Sequence, residues 1–443
     1  MPGVVFVGCA FGDEGKGKIV DYAAEDADMV VRYAGGPNAG HTLIVDGEKI
    51  ILRLIPSGVL HPETKCVLAQ GMAIDPLVLM DEIFALEERG VSLEGRLFIS
   101  DSAHVIFPHH INMDGIEAHS IKIGTTKKGV GPTYTDKASR RGMRMGTVVA
   151  MSMGDIREYV EKIGERDDKE SIKFKNALDV IGRHVCDTSH LIYEALKDEQ
   201  LVIFEGAQGT MLDLDHGTYP FVTSSSAVSG GACTGSGIGP TMIDSVVGIT
   251  KAYITRVGEG PFPTKIKDEE RATWLRDAGN EYGSVTKRPR DVGWLDLPML
   301  KYAIRVNDIS SLALTKLDVL SGLDEVQVCT GYELDGESCN GSFPLSRLKD
   351  VQPVYETFPG WSVEDVEKLS GNVTTFIDFI EAMTGVRVLV VSTGPERKQT
   401  RTLAMGFGSS EDLYGLDIDE IKEIMGIDEG IDEVIDMPTL IME

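Results

Sequence analysis

Residues 4–18 read VVFVGCAFGDEGKGK, and this stretch decides the fold. The β-branched run VVFVG (4–8) predicts a short buried strand, and the glycines after it predict a tight loop. A helical stretch follows from about Lys18 to Ala27. A strand, a glycine-rich loop and then a helix aim backbone N–H groups and a helix N-terminus at an anion. The loop is not a Walker A motif, because no Ser or Thr follows Lys16 and the glycine spacing differs. Its acidic pair Asp13-Glu14 is unusual in a phosphate loop, since a carboxylate there repels phosphate unless it binds a metal or takes a proton.

The same pattern repeats outward from this stretch. MVVRYA (29–34), CVLAQ (66–70), LVIFEGA (201–207), VGITKAYITR (247–256), SLALTKLD (311–318) and VRVLVVST (386–393) read as further strands. Residues 41–55 read as a hairpin turning at Asp46-Gly47. Helical periodicity is clearest in 74–89, 153–164, 170–197 and 363–384. Strands alternating with helices predict an α/β fold: a large, mainly parallel central sheet with helices on both faces and a P-loop-NTPase-like nucleotide site. No linker or repeat divides the chain, so residues 1–443 are expected to form one domain with helical and loop insertions.

Composition narrows the partners. With 43 basic and 70 acidic residues the formal charge is -27, which repels nucleic acid and anionic lipid. No apolar run is long enough to span a membrane, and the apolar start lacks the basic n-region of a signal peptide. Six scattered cysteines without a CxxC pair fit reduced thiols in a cytoplasmic protein and argue against a cysteine metal cluster. The segment from Leu403 to Glu443 carries twelve acidic residues against Lys422 alone and reads as a solvated helix face.

The chemistry-bearing segments fall where the strands end. GGPNAGHT (35–42) adds an amide, Asn38, and an imidazole, His41. IGTTKKGVGPTYTDKASRRG (123–142) reads as a polar basic loop with Thr126, Lys127, Lys128, Lys137, Arg140 and Arg141. In so acidic a chain such a segment suits an anionic substrate. FEGAQGTMLDLDHGTYPFVTSSS (204–226) offers Gln208 and Thr223, and a glutamine can read the amide-like edge of a hypoxanthine. In YGSVTKRPRDVGWLD (282–296), Arg288 and Arg290 suit a loop that closes over a dicarboxylate. In LTKLD (314–318) a carboxylate can accept from guanine N1–H and its 2-amino group, while the lysine stem packs on the ring. VSTGPER (391–397) is one more strand-end glycine loop.

Taken in order, GDEGKGK, NAGHT, EGAQG, HGTYPFVTSS, GWLD, LTKLDVL and STGP resemble the adenylosuccinate synthetase family across residues 8–397. The resemblance implies a homodimeric, cytoplasmic ligase that joins IMP to L-aspartate, with GTP as phosphoryl donor and one Mg²⁺ per subunit. It implies that Asp13 is the base at N1 of IMP and that His41 is the general acid, with Lys16 and Gln208 completing the catalytic set. Asp13 and the Gly40 carbonyl would hold the metal. GTP phosphates would meet Gly12, Asp13, Glu14, Gly15, Lys16, Gly17 and Lys18, together with Gly40, His41 and Thr42. The rest of GTP would meet Arg290, Lys316, Leu317, Asp318, Ser392, Thr393 and Gly394. IMP would contact Asp13, Glu14, Gly15 and Lys16 from the first loop and Asn38, Ala39, Gly40 and His41 from the second. Thr126, Gln208, Thr223 and Arg288 would complete its pocket, and Arg140 would reach the phosphate held by the partner subunit. Ser284, Val285, Thr286, Lys287, Arg288, Pro289 and Arg290 would form the aspartate loop. Two other readings compete. One is a related phage-type ligase that makes 2-aminoadenylosuccinate from dGMP and aspartate, a branch in which the carboxylate matching Asp13 is lost. The other is a guanine-nucleotide sensor without turnover.

Overall fold

Ten strands form the central sheet of the computed structural model, which describes residues 3–38, 40–121, 124–162, 168–283 and 289–403. In chain order they are β1 (Gly3–Gly8), β2 (Met29–Arg32), β3 (Lys65–Leu68), β4 (Leu97–Ser100) and β5 (Val185–Cys186). Then come β6 (Val202–Glu205), β7 (Ser245–Lys251), β8 (Ser311–Thr315), β9 (Val388–Ser392) and β10 (Thr400–Thr402). Across the sheet the order is β10-β9-β8-β7-β1-β6-β2-β3-β4-β5. Every pairing is parallel except β9 with β10.

The reason lies in the strand sequences. In β1, Val4 and Phe6 pack with Ile19 and Val20 of the helix α1 (Lys16–Ala23) and with Ala24, its C-cap. Val5 and Val7, which point to the opposite face, are equally buried. A strand that is apolar on both faces needs cover on both, the condition of a parallel sheet. From β1 the chain winds outward through β2 to β5, returns to insert β6, then winds the other way from β7. β1 is therefore the switch point, and the loops after β1, β2, β6, β7, β8 and β9 gather at one edge.

Several segments differ from their sequence reading. The run 247–256 is not one strand: β7 ends at Lys251, and Tyr253–Arg256 pairs with Asp291–Asp296 in a second sheet with Glu325–Leu334 and Gln352–Pro359. GWLD is thus a buried strand, where the sequence suggested a loop. Much of the basic segment 123–142 is helix, Val130–Ala138. The helical stretch 170–197 divides into Asp168–Gly182 and Thr188–Lys197, and 363–384 divides at Leu369, whose φ is 53°. The acidic segment beyond 403 lies outside the described residues.

Where the second sheet meets the helix Leu297–Asn307, Asp296 caps that helix. Its carboxylate accepts from Met299 N at 3.0 Å and from the Tyr332 hydroxyl at 2.5 Å. Complete burial pushes its pKa up to about 7, although both hydrogen bonds oppose the rise. Because the folded pKa lies above that of the unfolded chain, Asp296 contributes most below about pH 4, and that contribution is lost as pH rises through about 7. Urea unfolding midpoints from pH 5 to 8 are expected to fall more steeply for the parent than for Asp296→Asn; equal slopes would rule this out.

Candidate active site

The loop after β1 settles the problem of its two carboxylates. Glu14 is buried and points inward: one oxygen accepts from Ala10 N (3.1 Å) and Gly12 N (2.8 Å), and the other meets Lys16 Nζ at 2.5 Å. Thr315 at the end of β8 donates to the Glu14 carbonyl at 2.7 Å. Glu14 is therefore an internal strut that shapes the loop. Asp13, at φ 60°, is turned outward with 39 % of its side chain exposed, and its Oδ2 lies 2.9 Å from Arg290 Nη2. Gly15, at φ 89°, caps α1 with no side chain on the helix N-terminus. Only glycine reaches this left-handed geometry without strain, and the loop keeps the anion-binding end of the helix open.

The second loop brings His41 onto α1. A Cβ at Gly17 would lie 2.7 Å from the His41 Cβ, so glycine permits the approach. His41 Nδ1 is paired with the carboxylate of Glu205, the last residue of β6, and stands 3.3 Å from Ser57 Oγ. Ser57 donates to Glu205 through both N (2.8 Å) and Oγ (2.7 Å). Burial lowers the His41 pKa while Glu205 opposes the shift. Burial would raise that of Glu205, but His41, Arg32 and the Ser57 N–H bring it below the usual carboxylate range. The Glu205 carboxylate holds a ring proton on Nδ1 and fixes the ring's orientation, and it would balance the imidazolium formed when Nε2 also takes a proton. Glu205 was not singled out from the sequence, although it sits inside the quoted EGAQG string at a strand end.

Gln208 faces the same edge at φ 57°, with both amide atoms buried and without a protein partner. Buried amides left unpaired are rare, and a pair of them, one donor and one acceptor, suits a ligand edge. Asn38 accepts from Gly36 N at 3.2 Å and Thr223 N donates to the Leu212 carbonyl at 2.8 Å. Gly40, Thr42, Thr126 and Arg140 are exposed; Arg140 follows the helix Val130–Ala138 at φ 64°. Phe11 lies beneath the Arg256 guanidinium, 4.2 Å from it, and edge-on to Phe262. Ala39, Ser284, Val285, Thr286, Lys287 and Arg288 lie outside the described residues; of the anticipated aspartate loop, only Pro289 and Arg290 are described.

At the other end of the edge, Lys18 does not point at the first loop. Its ammonium donates to Ser392 Oγ (2.7 Å), the Gly394 carbonyl (2.5 Å) and the Gln399 carbonyl (3.0 Å), tying α1 to the loop after β9 that carries Thr393. Burial lowers its pKa to about 8, against the pull of Asp318. Lys316 Nζ donates to the Gly279 carbonyl at 2.9 Å, and Leu317 is buried. Burial raises the Asp318 carboxyl while Lys316 and Lys18 restrain it. The resemblance sets Asp318 against guanine donors, and on that expectation Asp318→Asn should lower preference for GTP over xanthosine triphosphate by about 100-fold, near the upper range of one bidentate base contact. Competition kinetics with the two triphosphates would measure it, and an unchanged ratio would remove Asp318 from base recognition.

Among the described residues, His109, His110 and Asp136 are close enough to share a metal ion. The Phe107 N–H donates to His110 Nδ1 at 3.0 Å, which keeps the ring proton on Nε2 and denies that nitrogen to a metal. We therefore read the cluster as structural.

Glycine-rich loops at a parallel-sheet switch point, with a turned-out carboxylate, a lysine and a carboxylate-held imidazole, define a nucleotide-dependent α/β enzyme. The family model "Adenylosuccinate synthetase" matches residues 5–401, and the chain belongs to that family of ligases. It is 48% identical over 425 residues to the adenylosuccinate synthetase of Sorangium cellulosum, covering 90% of this chain and 98% of that one. It is 44% identical over 426 residues to that of Chromohalobacter salexigens, covering 91% and 99%. Among solved structures, fully ligated adenylosuccinate synthetase from Plasmodium falciparum superposes with a TM-score of 0.86 at 38% identity, over 91% of this chain and 100% of that chain. The succinoaminodeoxyadenylate synthetase of cyanophage S-2L, bound to dGMP with dATP as energy donor, shares the fold at 21% identity (TM-score 0.61; 90% and 95% covered).

Proposed function

We propose that this protein joins IMP and L-aspartate to adenylosuccinate in AMP biosynthesis and converts GTP to GDP and phosphate. The observation that carries the reading is the separation of two adjacent carboxylates, Glu14 locked inside the loop and Asp13 presented from it. The 6-oxo group of a purine is a poor leaving group and must be activated. Asp13 takes the N1 proton, O6 attacks the γ-phosphorus, and the bond from that phosphorus to the β–γ bridging oxygen breaks to release GDP. The aspartate amine then adds at C6 of 6-phosphoryl-IMP, and phosphate departs with the original O6. His41 would meet the transferred charge from the second loop, Lys16 would do so on leaving its buried ion pair with Glu14, and the open N-terminus of α1 adds its partial positive charge. Gln208 supplies an acceptor and a donor to the base edge.

The Asp13 carboxylate on the first loop and the Gly40 carbonyl on the second are exposed hard oxygen donors, a set that fits Mg²⁺. Bound there, the ion would neutralise charge on the phosphates. We also take residues 1–443 as one domain of a cytoplasmic homodimer, in which the exposed Arg140 reaches the partner's IMP. No helix among the described residues is long and apolar enough to cross a membrane.

The test offers purified protein GTP and aspartate with either IMP or dGMP, the IMP carrying oxygen-18 at C6. Adenylosuccinate from IMP, with the label in inorganic phosphate, is expected. Product from dGMP alone would assign the phage-type reaction, and unlabelled phosphate would sink the activation scheme.

A further inference from the structure

A buried ion pair beside the site is left unused by this chemistry. Lys251 ends β7, and Glu281 follows the helix Glu269–Gly279; both are almost wholly buried. Lys251 Nζ donates to Glu281 Oε1 at 2.9 Å and to Thr255 Oγ1 at 2.7 Å, and the Tyr253 hydroxyl donates to the same Glu281 oxygen at 2.6 Å. Burial alone would raise the Glu281 carboxyl, yet Lys251, Lys316 and Arg290 bring it down to about 2. Its second oxygen accepts from Arg290 Nη1 at 2.5 Å, and its carbonyl accepts from Arg290 N at 3.0 Å. The other terminal nitrogen of that guanidinium, Nη2, rests 2.9 Å from Asp13 Oδ2.

Arg290 is therefore a fork with one tooth in a rigid anchor and the other on the base. We propose that Glu281, locked by Lys251 and Tyr253, is a positioning residue that fixes Arg290 against Asp13 and so sets the aim of the Asp13 carboxylate. Burying two charges is seldom the cheapest way to gain stability, since a well-packed apolar pair often serves as well. A fixed carboxylate is, however, what holding a planar guanidinium in one orientation requires. Lys251 comes from the end of β7 and Arg290 from the segment before Asp291–Asp296, so Glu281 between them joins the central sheet to the second one at the base. The inference rests on the ligase reading for its kinetic consequence and on the contacts alone for its structural one.

The experiment compares the parent with Glu281→Gln, Glu281→Asp, Arg290→Ala and the double variant Lys251→Met/Glu281→Gln, which leaves no unpaired buried ammonium if the single variant folds poorly. With GTP, IMP and aspartate saturating, kcat of Glu281→Gln and of the double variant should fall on the order of 100-fold, the loss that follows a misplacement of about 1 Å. KM for IMP should stay within about twofold, because neither substituted residue is among those expected to hold IMP. Glu281→Asp should recover part of kcat. In an Arg290→Ala background, Glu281→Gln should add less than about a further twofold, because the two act through one contact. A kcat for both Gln variants within about threefold of the parent, or losses that multiply independently of Arg290, would overturn the proposal. Should the parent make no adenylosuccinate, the ligase reading falls separately. A crystal structure of the double variant then decides, and Arg290 still seated on Asp13 would overturn the positioning role.

Discussion

Asp13→Ala is expected to abolish adenylosuccinate formation in a protein that still folds. The loop does not depend on this side chain, because its shape is held by Glu14 through Ala10 N, Gly12 N and Lys16. The Asp13 carboxylate touches Arg290 and otherwise faces outward, so its removal opens no core. Loss of a positioned general base typically removes about 10²- to 10⁴-fold in rate. Here O6 also stays a weak nucleophile while N1 keeps its proton, so the loss should sit at or beyond the upper end. Asp13 adopts φ 60°, a region that aspartate and asparagine tolerate better than alanine. Asp13→Asn therefore separates strain from chemistry: it keeps the backbone preference and the size and loses the negative charge, and with it the base. Both variants should be inactive with circular dichroism spectra like the parent's. Turnover by Asp13→Asn within about tenfold of the parent would place the base elsewhere.

His41→Asn should lower kcat on the order of 10³-fold with little change in KM for IMP, the loss expected of a positioned acid that also meets developing charge. The structure adds a companion that the sequence did not supply. Glu205 holds His41 through Nδ1 and is itself fixed by Ser57, so Glu205→Gln should reproduce much of the His41→Asn loss although it stands behind the ring. The amide cannot balance an imidazolium when the proton shifts. Because Arg32 beside Glu205 is fully buried, the thermal midpoint of Glu205→Gln should also drop, whereas that of His41→Asn should change less. Full activity in Glu205→Gln would show that the ring is held by burial alone.

Much of this was readable residue by residue. Val4 to Gly8, Met29 to Arg32 and Ser311 to Thr315 are strands because β-branched and apolar runs bounded by glycine or polar residues leave little alternative. The Asp46-Gly47 hairpin formed where its turn chemistry required. The second sheet was missed because GWLD and the strand Glu325–Leu334 carry glycines, acids and polar residues that read locally as loop; GWLD is covered by pairing with Tyr253–Arg256 and Glu325–Leu334, and the latter by Gln352–Pro359 and the helix Leu297–Asn307. The helix Val130–Ala138 was hidden by Gly131 and Pro132, which propensity counts against it, although Pro132 within the first turn lacks only a hydrogen bond that the helix does not need.

The sequence by itself determined the α/β class, the strand ends at which the glycine-rich loops gather, and the residue types presented there, because strand burial and glycine loops are set by local composition. Only the tertiary structure decided how those residues pair. Glu205 meets His41 across 164 positions, Lys18 is drawn to Ser392 across 374, and Asp13 meets Arg290 instead of sharing Lys16 with its neighbour. The reason is strand order: β6 returns to lie between β1 and β2, and β9 lies beyond β8, so partners are chosen by the winding of the sheet, which no local pattern encodes.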